Sequence, residues 1–171
     1  MAIKINIESK DITVSAVKKS LDNILNKNIL CSIATIRDKN SSHINTAYFC
    51  YSSDYEFYFL SDPSSQHVLN LTENQSTAIA IYESSQKWGT NLMGLQMFGT
   101  CSLVKKLEIP KSYLLYAKRF HNFTNWIKHP NELVSGIKET KLYKFTPKKF
   151  KIFDEPTFGK DEYVSGIFSK S

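Results

Sequence analysis

A mainly β chain, folded as a small antiparallel barrel with flanking helices, is the fold class that this 171-residue sequence predicts. Three observations carry it. Six or so short apolar or alternating runs are separated by turn residues. Aromatic residues reach 13%, with 11 Phe and 9 Tyr, and such side chains favour pleated, half-buried surfaces. A helix between every pair of strands, which a doubly wound sheet needs, is missing.

Thr13 or Ser15 can cap a first helix over about 13–28, whose stripe is Val14, Val17, Leu21, Ile24 and Leu25. Ile29–Arg37 is short, apolar and β-branched, which predicts a buried strand before the turn 38–42. His43–Tyr51 and Tyr55–Leu60 flank Ser52-Ser53-Asp54 as a hairpin. Ser61-Asp62-Pro63-Ser64-Ser65 then leads into a short amphipathic helix with Val68, Leu69 and Leu71, and Thr77–Tyr82 reads as a strand. Leu92–Val104 predicts a long strand in which Gly94 and Gly99 signal a bend, a bulge or a close approach. Pro110 opens a helical insert over about 110–136, with Tyr113, Leu114, Ala117 and Phe120 on one side. Two half-buried strands, Lys141–Phe145 and Phe150–Phe153, follow around Thr146-Pro147, and the tail over about 154–171 reads as a loop. No repeat or low-complexity linker divides the chain, so a single domain over 1–171 is expected.

Composition excludes a disordered tail, a collagen-like repeat and a disulfide miniprotein. Cys31, Cys50 and Cys101 lack metal-ligand spacing and sit in apolar runs, as buried thiols of a reducing cytoplasm would. No leader peptide and no membrane span is expected, because no run of about 20 apolar residues occurs. The formal charge of +6 gathers at Lys138, Lys141, Lys144, Lys148, Lys149 and Lys151, which read as a solvated strand face. Nucleic-acid binding has only that charge in its favour and is not expected. His43, His67, His121 and His129 are scattered, so no metal site is expected. His43 reads as a turn residue, and Arg119-Phe120-His121 as a helix end whose charge complements the dipole. Phosphate loops, nucleophile elbows and metalloprotease pairs are missing, and no catalytic acid or base can be assigned.

One constellation carries more. An aromatic strand ends in Ser61, and Ser64-Ser65-Gln66-His67 opens a helix. Hydroxyls, first-turn amides and an imidazole together suit a phosphate monoester; a plain capped turn, with Ser65 satisfying the first-turn donors, is the alternative. The order HINTAYFCYSSDYEFYFLSDPSSQHVLNLTENQSTAIAIY, followed by GLQMFGTCSLV, resembles the FMN-binding split barrels of the pyridoxamine 5'-phosphate oxidase-like superfamily. KLYKFTPKKFKIFDEPTFGKDEY is similar to the closing strands of a small, poorly characterised bacterial branch.

The resemblance covers roughly 15–160 and implies a six-stranded antiparallel split barrel, a homodimer and FMN in a groove between subunits. By position, Ser61 and Ser65 would hydrogen-bond the FMN phosphate, with His67 where the family has Lys or Arg. Asn45, Thr46 and Ala47 would border the flavin ring, and Gln96 would meet its edge. Lys87 and Trp88 would cover it from the partner subunit. The implied function is a flavoprotein oxidoreductase or flavin reductase acting on a small-molecule substrate or electron donor, not vitamin B6 oxidation. Asn45, Cys50, Gln66 and His67 stand where the oxidase places phosphate-neutralising cations. That departure leaves open a split-barrel dimer that binds haem, deazaflavin or another small ligand, or that is catalytically silent.

Overall fold

The computed structural model describes residues 3–8, 11–38, 40–134 and 139–170. Lys138 and the end of the insert near Gly136 lie outside them. Eight strands form one antiparallel sheet: β1 (Ile3–Ile7), β2 (Leu30–Arg37), β3 (Ser41–Tyr51), β4 (Phe57–Ser61), β5 (Ser76–Tyr82), β6 (Met93–Leu103), β7 (Lys141–Asp154) and β8 (Tyr163–Lys170). The sheet order is β1-β8-β7-β4-β3-β2-β5-β6, and β6 also pairs with β7. Six strands therefore close into a ring, while β8 and β1 extend from it.

β7 makes this possible. Its first residues, Lys141–Phe145, pair with β4, and Lys149–Phe153 pair with β8. Along its other edge it pairs with β6 almost throughout, with a shift of register between Phe98 and Gly99. The two strands expected around Thr146-Pro147 are thus one bulged strand. The chain is a split barrel, and its tail is not a loop. The tail's glycine signal misleads for a physical reason: a Cβ on Gly166 would lie 2.5 Å from the Phe150 ring and 2.6 Å from the Asn6 carbonyl oxygen. Glycine there permits close strand packing rather than a turn. β1 was not foreseen in the sequence.

Helix α1 (Val14–Lys27) begins at Thr13, whose hydroxyl accepts from the Ala16 N–H. Its stripe of Val17, Leu21, Ile24 and Leu25 is buried, whereas Val14 is exposed. These residues join Cys31, Ile33, Phe49, Phe57, Phe59, Ile79, Leu95, Met97 and Phe145 in the barrel core. The alternate residues of β3 and β4 face outward, and Cys50, Tyr58 and Leu142 pack beneath the insert. That insert contains α3 (Ile109–Arg119) and α4 (Phe123–Trp126), with α2 (Gln66–Glu73) lying earlier in the chain. On α3 the buried face is Ile109, Tyr113 and Tyr116, so the expected stripe is displaced and Leu114 points to solvent.

Lys144 does not belong to a solvated lysine face. It pairs with Glu108 at 2.6 Å and with Glu56 at 3.4 Å in a half-buried network. Arg119 likewise does not cap its own helix. Its Nη2 donates to the Leu25 and Asn28 carbonyls at the end of α1. Its guanidinium lies 4.8 Å from the Phe49 ring centroid and 5.2 Å from that of Tyr51. Arg119→Met is expected to cost about 2 kcal/mol, because it removes charge-assisted hydrogen bonds and a cation–π contact. Urea unfolding of the two proteins checks this, and an unchanged midpoint would show that the clamp contributes nothing.

Among the described residues no helix is long and apolar enough to cross a membrane.

Candidate functional site

Four strands carry one outward-facing row, Thr46–Ser32–Ala80–Gln96, set by the registers of β3, β2, β5 and β6. The adjacent row is Ile44–Ala34–Ala78–Phe98. Ile44 is 68% exposed and Phe98 44%, which makes this sheet face apolar and open.

Where β3 and β4 meet the insert, a cleft of about 510 Å³ opens. Asn45, Thr46, Ala47 and Tyr48 come from β3, Leu60 and Ser61 from β4, and His67 from α2. The insert contributes Tyr116, Phe120, Asn122, Phe123 and Trp126. Asn45, Thr46, Ala47, Ser61 and His67 therefore share one cleft, and Ser65 is bonded to its corner. The structure places Lys87, Trp88 and Gln96 elsewhere on the same chain. Lys87 and Trp88 occupy a turn in which the Thr90 N–H and hydroxyl both donate to the Lys87 carbonyl. Gln86 fixes that turn, since its side-chain amide donates to Met93 O and accepts from Met93 N, as a strand would. Trp88 is left fully exposed.

The corner is a short hydrogen-bonded chain. His67 Nε2 lies 2.6 Å from Ser61 Oγ, Ser61 Oγ lies 3.0 Å from Ser65 Oγ, and Ser65 Oγ donates to the Asp62 carbonyl at 2.7 Å. Ser65 Oγ also lies 3.3 Å from His67 Nε2, and Ser61 Oγ 3.4 Å from the Asp62 carbonyl oxygen, so both hydroxyls and the imidazole share one network in which Nε2 donates or accepts according to its tautomer. Ser65 is thus not the side-chain cap expected of it. The turn is held by Asp62 instead, whose carboxylate accepts from the Ser64 N–H and hydroxyl.

Burial, and then the neighbouring His43, push the His67 pKa below its ordinary value. His43 stacks on His67, with centroids 6.4 Å apart and planes within 10°. It is a cleft neighbour as well as a strand-opening residue. Asn45 Oδ1 is buried and has no hydrogen-bond partner among the described residues. An acceptor held this way is costly unless a ligand donates to it.

Burial raises all three thiols, Cys31 and Cys101 to about 12. Cys50 is raised by burial too, more than the nearby Arg119 lowers it. A thiolate is the reactive form, so these cysteines are not nucleophiles. A thiol reagent is expected to label none of them quickly in the native protein and all three after denaturation. Fast native labelling would contradict the packing.

The insert's aromatic wall was missed in the sequence, although Phe120, Phe123 and Trp126 lie close together there. Their spacing matched no binding pattern, and only the fold brings them to β3.

A ring of six antiparallel strands, with the seam between β6 and β7 closing it, defines a split barrel. The sequence profile of the pyridoxamine 5'-phosphate oxidase family matches residues 17–153, and the chain belongs to that family. Solved structures share the fold at low identity. A heme-binding protein of Mycobacterium smegmatis superposes at TM-score 0.70, with 11% identity over 91% of this chain and 59% of its own. The heme storage protein HutZ of Vibrio cholerae gives 0.61, with 15% identity over 77% and 89%. An FAD-binding protein of Mesorhizobium loti gives 0.55, with 15% identity over 99% and 100%. A comparison with curated proteins finds no match.

Proposed function

We propose that the protein is an FMN-binding oxidoreductase or flavin reductase. The observation that supports this most is the Ser61–Ser65–His67 corner beside an aromatic cleft bordered by Asn45–Ala47. Ser61, Ser65 and the Nε2–H of His67 would hold the phosphate, with hydroxyls redirected from the internal chain to the anion. Asn45 Oδ1 would accept an N–H from the flavin ring, which gives the orphaned acceptor its partner. The flavin would supply the redox chemistry. The chain's own residues bind it, orient it and exclude water; no side chain is assigned as an acid or base.

In this reading the protein works as a homodimer, a cytoplasmic one as its buried free thiols suggest. The open apolar face containing Ile44 and Phe98 would be covered by a second copy. Gln96 would reach the flavin edge from the same face, and the pinned turn would deliver Lys87 and Trp88 over the ring from the partner subunit.

Haem is the second reading. It is favoured by one observation: the corner offers an imidazole held neutral by burial and no permanent cation among the described lining residues. Purification without added cofactor, an absorbance scan and mass spectrometry of the released ligand separate the two. A flavin spectrum with FMN released supports the first reading. A haem spectrum that is lost in His67→Ala replaces it with the second, and FMN that fails to bind at high micromolar concentration ends it.

A further inference from the structure

The described walls of the cleft carry no charged side chain. This is notable because the insert that builds one wall has cations nearby. Lys118 and Arg119 line a separate hollow with Asn26, Cys50 and Ser52. Arg119 is committed there to the Leu25 and Asn28 carbonyls. Apart from the uncharged Asn122, what the insert turns toward the cleft is aromatic: Tyr116, Phe120, Phe123 and Trp126, against Tyr48 of β3.

The wall is preformed. The Tyr116 hydroxyl donates to the Tyr48 carbonyl at 2.7 Å, which ties α3 to the barrel. The Tyr113 hydroxyl donates to the Ile127 and Lys128 carbonyls and fixes the chain beyond α4. Ring centroids of Tyr116 and Phe123 are 5.0 Å apart, those of Tyr116 and Phe120 5.2 Å, and Tyr48 meets Phe120 edge-on at 5.7 Å. A rigid surface of ring faces and edges favours a flat aromatic guest. A charged group brought against it would lose its water without gaining an opposite charge.

We infer that the substrate of this cleft is an uncharged, planar aromatic molecule, held against the α3–α4 wall. The inference rests on the reading of the Ser61 corner as the cofactor's anchor. Phosphorylated or carboxylated substrates are excluded from the wall by the same lack of cations.

Equilibrium dialysis of the full chain, with FMN added, against naphthol and against naphthalenesulfonate tests this. The two probes share a ring system and differ in charge. Naphthol is expected to bind roughly tenfold more tightly than the sulfonate, and Trp126→Ala to weaken naphthol roughly tenfold. Trp126 is half exposed, and circular dichroism of the variant verifies that the fold is kept. Equal or tighter binding of the sulfonate overturns the inference, as does naphthol binding that ignores Trp126→Ala. Flavin absorbance retained with the protein reports the cofactor reading separately. If flavin is not retained while naphthol keeps its preference and its dependence on Trp126, the wall stands and the flavin reading falls.

Discussion

Gly99→Ala is expected to lower the free energy of unfolding by about 3 kcal/mol, at the upper end of what overpacking costs. The strand β6 needs glycine there because of the opposing strand. A Cβ at Gly99 would lie 2.1 Å from the Thr146 carbonyl oxygen, 2.9 Å from the Pro147 Cα and 3.0 Å from the Thr146 carbonyl carbon. All three are backbone atoms of β7, which cannot swing aside as a side chain can. Those atoms also sit where the register between β6 and β7 shifts. The substitution therefore presses on the seam that closes the ring.

Gly94→Ala, in the same strand, is the control. A Cβ there meets the Ile81 carbonyl oxygen and Tyr82 Cβ at 3.6 Å, an ordinary contact. Alanine also reduces the entropy of the unfolded chain, so this change is expected to be neutral or slightly stabilising. Urea unfolding and thermal melts compare the variants. A loss of 3 kcal/mol corresponds to roughly 6–12 °C in a protein of this length. Equal midpoints for the two variants would mean that β6 and β7 do not cross in this register.

The same seam shows what the sequence could and could not convey. Strands β2 to β6 were legible because runs of apolar, β-branched and aromatic residues between turns are a local property, although β2 alternates rather than being buried throughout: Cys31, Ile33 and Thr35 are buried, and their neighbours are not. Gly99 was legible only as an ambiguity, since a bend, a bulge and a close approach share one signal. The structure makes it a bulge and a close approach together. β8 was illegible because its glycine faces a ring supplied by β7, a contact across chain segments. The aromatic wall was hidden for a related reason. Phe120 follows the last residue of α3 and Trp126 ends α4, and their placement is set by Tyr116 reaching the Tyr48 carbonyl, 68 residues away in sequence. In the corner, residue types were readable but their distances were not. Only the fold brings Ser61 Oγ to 2.6 Å from His67 Nε2 and 3.0 Å from Ser65 Oγ.

The charge on His67 sets the expected pH dependence of FMN binding. In the ligand-free protein His67 is neutral over most of the physiological range, because burial and the adjacent His43 hold its pKa below 6.5. A phosphate beside Nε2 stabilises the imidazolium and raises the pKa in the complex. Affinity is therefore greatest below the ligand-free pKa of His67. It falls, by up to about tenfold per pH unit, as pH rises between the two values, then levels off above the bound value. The phosphate's own second ionisation, near about 6, blunts the rise on the acid side. His67→Lys puts a permanent cation at this place, and its FMN affinity is expected to stay flat between pH 6.5 and 8 and to exceed the wild type by about tenfold at the upper end. Ser61→Ala removes one of the two hydroxyls of the corner, leaving Ser65 Oγ 3.3 Å from His67 Nε2, and should weaken FMN about tenfold at every pH. Fluorescence titrations of the three proteins decide the matter: a wild-type affinity as flat as that of the lysine variant would remove His67 from the phosphate's coordination, whatever else binds there.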